Sequence, residues 1–98
     1  MSPEKVKPNQ ENLIKKKYQP PKQVMPQHKE LMLKIGRKLQ VLRKGKKISV
    51  SKLSLELGIS RNAYSNMESG KVYFNVLTLL QVLDYYQVAA SDFFSDIM

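Results

Sequence analysis

The chain contains no cysteine, which excludes a disulfide framework and any thiolate metal site. Its single histidine, His28, rules out two-histidine zinc motifs and leaves no spare base for a hydrolase. Glu56, Glu68, Asp84, Asp92 and Asp96 offer no carboxylate pair at catalytic spacing, and no serine has a His/Asp partner set. No apolar run approaches the ~20 residues of a membrane span. The opening MSPEKVKPNQ lacks the apolar stretch of a signal peptide. Strand-like alternation never exceeds a few residues. With 98 residues the chain has room for one small domain, whose limited core gains from oligomerisation. These absences lead us to expect a soluble, intracellular, non-enzymatic binding protein that needs neither metal nor cofactor and meets no membrane.

Charge is unevenly placed. The net +9 divides into +4 over residues 1–28, +8 over residues 29–71 and −3 over residues 72–98, where lysine and arginine are absent. Such asymmetry points to one part of the molecule meeting a polyanion while another part does something different.

Proline is confined to the first 26 residues, at Pro3, Pro8, Pro20, Pro21 and Pro26. Proline breaks both helix interiors and ladders, and the scattered apolar residues there cannot repay ordering entropy. Residues 1–28 therefore read as a basic, extended or disordered arm, and residues 29–98 as the folded domain. From Lys29, Leu31, Ile35, Leu39 and Leu42 recur at helical spacing with Lys34, Arg37, Lys38 and Arg43 between them. Gly45 among lysines marks the end of this first helix. Ser49 caps a second helix over 50–57, which Gly58 stops. Ser60 caps a third over 61–68, ended by Ser69-Gly70. Asn75 caps a fourth over 76–86 with Leu79, Leu80 and Leu83 inward, and 90–94 forms a last short turn of helix. The expected fold class is all-α, with five short helices.

Two short helices joined by a three-residue turn that opens on glycine form a helix-turn-helix arrangement. An α-helix fits the major groove, so the second of such a pair can put side chains on base edges. In the third helix Ile59, Ala63 and Met67 repeat every four residues and are expected inward, leaving Arg61, Asn62, Ser65 and Asn66 outward. Arginine suits guanine O6/N7 and asparagine suits adenine N6/N7. The Ser60 hydroxyl and the helix N-terminus suit a phosphate oxygen.

The segment from Ile35-Gly36-Arg37-Lys38-Leu39 to Ile97 resembles the helix-turn-helix domain of the phage repressor and Cro proteins, the Xre-type family of bacterial regulators. The resemblance rests on Leu42-Arg43, Ile48-Ser49, Leu57-Gly58-Ile59-Ser60, and above all Ser60-Arg61 through Glu68-Ser69-Gly70-Lys71. It implies base-reading roles for Arg61, Asn62 and Asn66, and backbone contacts from Ser60, Ser65, Ser69 and Lys71. It also implies that Arg43 and Glu68 form an internal ion pair tying the first helix to the third. The sequence departs from the family at Val50, where a phosphate-binding glutamine is usual, at Ser51 and Lys52, where acidic residues are usual, and at Phe74 and Gln87, where proline and glycine are usual. Lys52 opposes the helix dipole but can reach a phosphate instead.

The function implied is a sequence-specific, double-stranded-DNA-binding transcriptional regulator. It would be a repressor by occupancy, a homodimer, and cytoplasmic in a bacterial or phage-encoded, nucleoid-associated setting. Its arm has three uses open: contact with DNA, docking of a protein partner, or simple solubilisation. The aromatic and acidic end (Tyr85, Tyr86, Phe93, Phe94, Ile97, Met98) supplies either core or a dimer surface. An antitoxin or bridging protein, whose main partner is a toxin or polymerase, is the other class the same residues allow.

Overall fold

A computed structural model describes residues 22–97, so the expectation for residues 1–21 and for Met98 lies outside the described residues. The described residues form a short 3-10 turn, Pro26–His28, and five α-helices: α1 Lys29–Gly45, α2 Val50–Leu57, α3 Arg61–Ser69, α4 Val76–Tyr86 and α5 Ala90–Phe94. No strand occurs among them. The all-α expectation holds.

Capping chemistry sets most of the helix ends. The hydroxyls of Ser49 and Ser60 accept hydrogen bonds at 3.0 Å from the backbone N–H of Lys52 and Ala63, and the Asn75 side chain accepts one at 2.8 Å from Thr78. Each satisfies one of the donors that a helix N-terminus leaves orphaned. Gly58 and Gly70 close α2 and α3 at φ 73° and 71°, in the left-handed region that a Cβ disfavours. Two ends use side-chain-bearing residues instead. Gln87 takes φ 59° after α4, filling the position where the resembled family has glycine. α1 ends at Gly45, but the left-handed residue is Lys47 at φ 57°.

The core is built across the helices from Met32, Ile35 and Leu39 of α1, Leu53 of α2, Tyr64 and Met67 of α3, Leu79, Val82 and Leu83 of α4, and Phe93 of α5. Two inward assignments are corrected. Ala63 is exposed and Tyr64 is fully buried in its place, because a four-residue spacing drifts by about 40° per step on a helix of 3.6 residues per turn. On α4 the buried stripe runs through Val82, and Leu80 turns outward with 41% of its surface exposed. The expected stripe of α1 is shifted as well: Met32, Ile35 and Leu39 are buried, whereas Leu31 and Leu42 are half-buried at its margin.

α1 and α3 share the most extensive helix contact. Gly36 permits their close approach, since a Cβ there would lie 2.2 Å from the Glu68 carbonyl oxygen. Residues ahead of Lys29 also pack. Val24 is buried against the core, and the Tyr73 hydroxyl accepts from the Met25 N–H at 3.2 Å and hydrogen-bonds His28 Nδ1.

Candidate nucleic-acid interface

α3 is fixed from behind and open in front. Behind, Tyr64 is wholly buried, and its hydroxyl lies 3.1 Å from that of Tyr86. Burial, with that hydrogen bond, drives the Tyr64 phenol far above its ordinary range, so it stays neutral at any working pH. Arg43 of α1 reaches Glu68 of α3 through two hydrogen bonds, Nε to Oε2 at 2.7 Å and Nη2 to Oε1 at 3.2 Å. Its Nη1 donates to the Ile48 carbonyl at 3.0 Å. Both partners are largely buried, at 15% and 9% side-chain exposure. The hydrogen bonds to Glu68 hold the guanidinium pKa above its ordinary value. A bidentate pair of this kind fixes angle as well as distance, so α3 is locked against α1 and the loop before α2.

In front, Arg61, Asn62, Ser65 and Asn66 are all exposed. At 3.6 residues per turn, Asn62 and Asn66 occupy the middle of the outer face, one turn apart, with Ser65 and Arg61 on one flank and Ala63 on the other. Arg61, Asn62 and Ser65 line a shallow recess of about 250 Å³ whose opposite wall is Ser49, Val50 and Ser51 at the start of α2. The N-terminal ends of α2 and α3 thus border one concavity. Val50 carries no polar side-chain atom to this wall, so polarity there comes from Ser49, Ser51 and the first backbone amides of α2, donors that α-helices leave unpaired.

The remaining candidates are dispersed. Ser60 is exposed and accepts the cap bond, leaving its hydroxyl proton free to donate. Ser69 is half-buried; its hydroxyl donates to the Asn66 carbonyl at 2.9 Å and accepts from the Lys71 N–H at 3.2 Å, shaping the loop after α3. Lys71 is exposed at the far end of α3 and lines a different recess with Gly70, Gln23 and Val24. Lys52 is exposed on α2 and lies 3.8 Å from Glu56, outside both recesses. The structure therefore brings Arg61, Asn62 and Ser65 together with the start of α2, and leaves Lys71 and Lys52 at separate positions. Sequence reasoning missed Tyr73 and the strap at residues 23–28, for which Pro26 at the start of the 3-10 turn was the only local signal. Among the described residues, no group of three or more His, Cys, Asp or Glu side chains is placed to hold a metal ion, and no helix is long and apolar enough to cross a membrane.

A locked helix with a polar, exposed face, set across a glycine-opened turn from a second short helix, defines a helix-turn-helix module. Residues 36–96 match the helix-turn-helix domain family, and the chain belongs to that family of DNA-binding transcription regulators. The fold is similar to that of the restriction-modification controller protein C.AhdI from Aeromonas hydrophila, with a TM-score of 0.60 and 22% sequence identity over 64% of this chain and 96% of that one. A search of curated proteins found no match.

Proposed function

We propose that the protein is a sequence-specific regulator that places α3 in the major groove of duplex DNA and represses by occupying its operator. The observation that carries this reading is the outer face of α3. Its exposed side chains are Arg61, the short polar Asn62, Ser65 and Asn66, and the small Ala63 at one flank, while the helix behind them is held by a buried tyrosine and a bidentate ion pair. Arg61, Asn62 and Asn66 are the base readers, since their fork-like donor and acceptor groups match guanine and adenine edges. Ser60, Ser65, Ser69, Lys71 and Lys52 contact the sugar-phosphate backbone, which positions the module without reading sequence. The acidic last third of the chain is turned to a second copy. Phe93 is core, and Tyr85, Tyr86, Phe94 and Ile97 pack against the core, so the exposed aliphatic residues of this last third lie on α4, at Val76 (68% exposed), Leu77 (66%) and Leu80. That face lies in the segment without lysine or arginine, where two +9 chains approach with least repulsion.

Paired substitutions test the division of labour. Arg61→Ala costs about 1–3 kcal/mol on the preferred site and relaxes preference at one base pair. Lys71→Ala weakens all duplexes alike and reduces the slope of log K against log salt by about one. Equal losses on preferred and random duplex for Arg61→Ala would remove it from the base-reading set.

A further inference from the structure

We infer that Val50 reads a thymine methyl group beside the base pair that Arg61 contacts. This rests on the reading of α3 as the helix that enters the groove. Val50 is the first residue of α2 and stands in the wall of the recess of about 250 Å³ that faces Arg61, Asn62 and Ser65. With Arg61 and Asn62 against base edges, the recess between them and α2 opens onto the same stretch of groove. Ser49 and Ser51 are exposed, whereas Val50 is half-buried. Its branched hydrocarbon has one side on the core and another on the recess.

The two walls are held in fixed relation. Arg43 donates to the Ile48 carbonyl at 3.0 Å, two residues ahead of Val50, and through its other nitrogens to Glu68 of α3. One guanidinium thus ties the approach to α2 to the body of α3. Within α2 the buried Ser54 hydroxyl donates to the Val50 carbonyl at 2.6 Å, and the Ser49 cap holds the first turn. A side chain placed this firmly gives up little freedom on meeting a partner.

The chemistry of the recess selects that partner. In the major groove the thymine C5-methyl is the apolar group that base edges present. A phosphate oxygen set against Val50 would leave water without gaining a hydrogen bond from that side chain. A methyl group there leaves water at a gain. The recess has one apolar point facing a polar wall, as a thymine edge carries its methyl beside the O4 acceptor.

The test compares thymine with uracil, which lacks the C5-methyl and keeps O4 and the pairing face. Each thymine of the selected duplex is replaced in turn, and affinity is measured for the unsubstituted chain, Val50→Ala and Val50→Ile. Each result is the ratio of affinities for the thymine and uracil duplexes, in which any loss of folded protein cancels. We expect one thymine at which uracil weakens the unsubstituted chain about three- to fivefold, the worth of one buried methyl group. Val50→Ala should bring that ratio below about 1.5, and Val50→Ile should retain it. Uracil losses that persist in Val50→Ala at every thymine, or no loss at any, overturn Val50 as the reader. A loss that vanishes in Ala63→Gly instead assigns the methyl to the other flank of α3 and overturns it as well. Those outcomes leave the reading of α3 standing where the chain selects a site and Arg61→Ala costs more there than on random duplex. Failure of that discrimination overturns the reading of α3 and the role of Val50 with it.

Discussion

Arg43 and Glu68 show most clearly how single side chains set the recognition surface. Neither reaches solvent freely, and Glu68 accepts two of the guanidinium's hydrogen bonds while the Ile48 carbonyl accepts a third. Removing one partner strands a largely buried charge, which is far more costly than never having had the pair. Glu68→Gln keeps the shape but turns an amide N–H toward the guanidinium. We expect it to lower unfolding stability by about 3 kcal/mol in denaturant titration; a loss below about 1 kcal/mol would show the pair to be solvent-screened. A second residue-scale pair closes the other end of the molecule. Lys38 donates to the Phe93 carbonyl at 2.6 Å and to Asp96 at 2.7 Å, and these contacts hold the Asp96 carboxyl below its ordinary pKa. That link is present above the ordinary carboxylate range and is lost as pH falls through the lowered value.

At the scale of elements, the helix order and boundaries were legible because their punctuation is local. Ser49, Ser60 and Asn75 cap, and Gly58 and Gly70 stop, by interactions within a few residues. The inward faces were legible only in part. Tyr64 and Val82 hold their places through packing against other helices, and a periodicity count over nine or eleven residues cannot separate them from neighbours one step around the helix. The strap on Tyr73 escaped altogether, since its hydrogen bonds join residues 45 and 48 positions apart. Gly36 belongs to the same class: nothing around it in sequence shows that the Glu68 carbonyl lies against it. A methyl group there must push α1 away from α3 through rigid backbone. Gly36→Ala should therefore cost about 3 kcal/mol despite its better helix propensity. Thermal unfolding checks this, and a stabilised variant would mean that the two helices stand further apart.

For the whole molecule, charge is divided along the chain, whereas exposed apolar residues occur in both parts, Val41 (69%) and Leu55 (80%) standing singly among the cations. Cations crowd residues 1–71, and the exposed Val76, Leu77 and Leu80 lie in the part that has none. A surface so divided suits a dimer that reads two half-sites of a palindrome. Leu77→Glu, at an exposed position that leaves the core intact, should yield a folded monomer by sedimentation and a weaker complex that keeps its base preference. An unchanged oligomeric state would place the interface elsewhere. The charge division was legible from the sequence, whereas the exposed face of α4 was not, because the aromatic end offered either core or a dimer surface, and its Tyr85, Tyr86, Phe93, Phe94 and Ile97 belong to or pack against the core.

Whether α3 reads sequence is decided by selecting bound sites from random duplex DNA with the 98-residue chain, followed by salt titration on the selected site. A dimer reading through α3 selects a palindromic consensus with half-sites about 10 base pairs apart. Affinity for that site should exceed that for random duplex at least ~10³-fold. Enrichment of no sequence, with binding that disappears at moderate salt, would contradict reading by α3 and reduce the +9 charge to non-specific attraction.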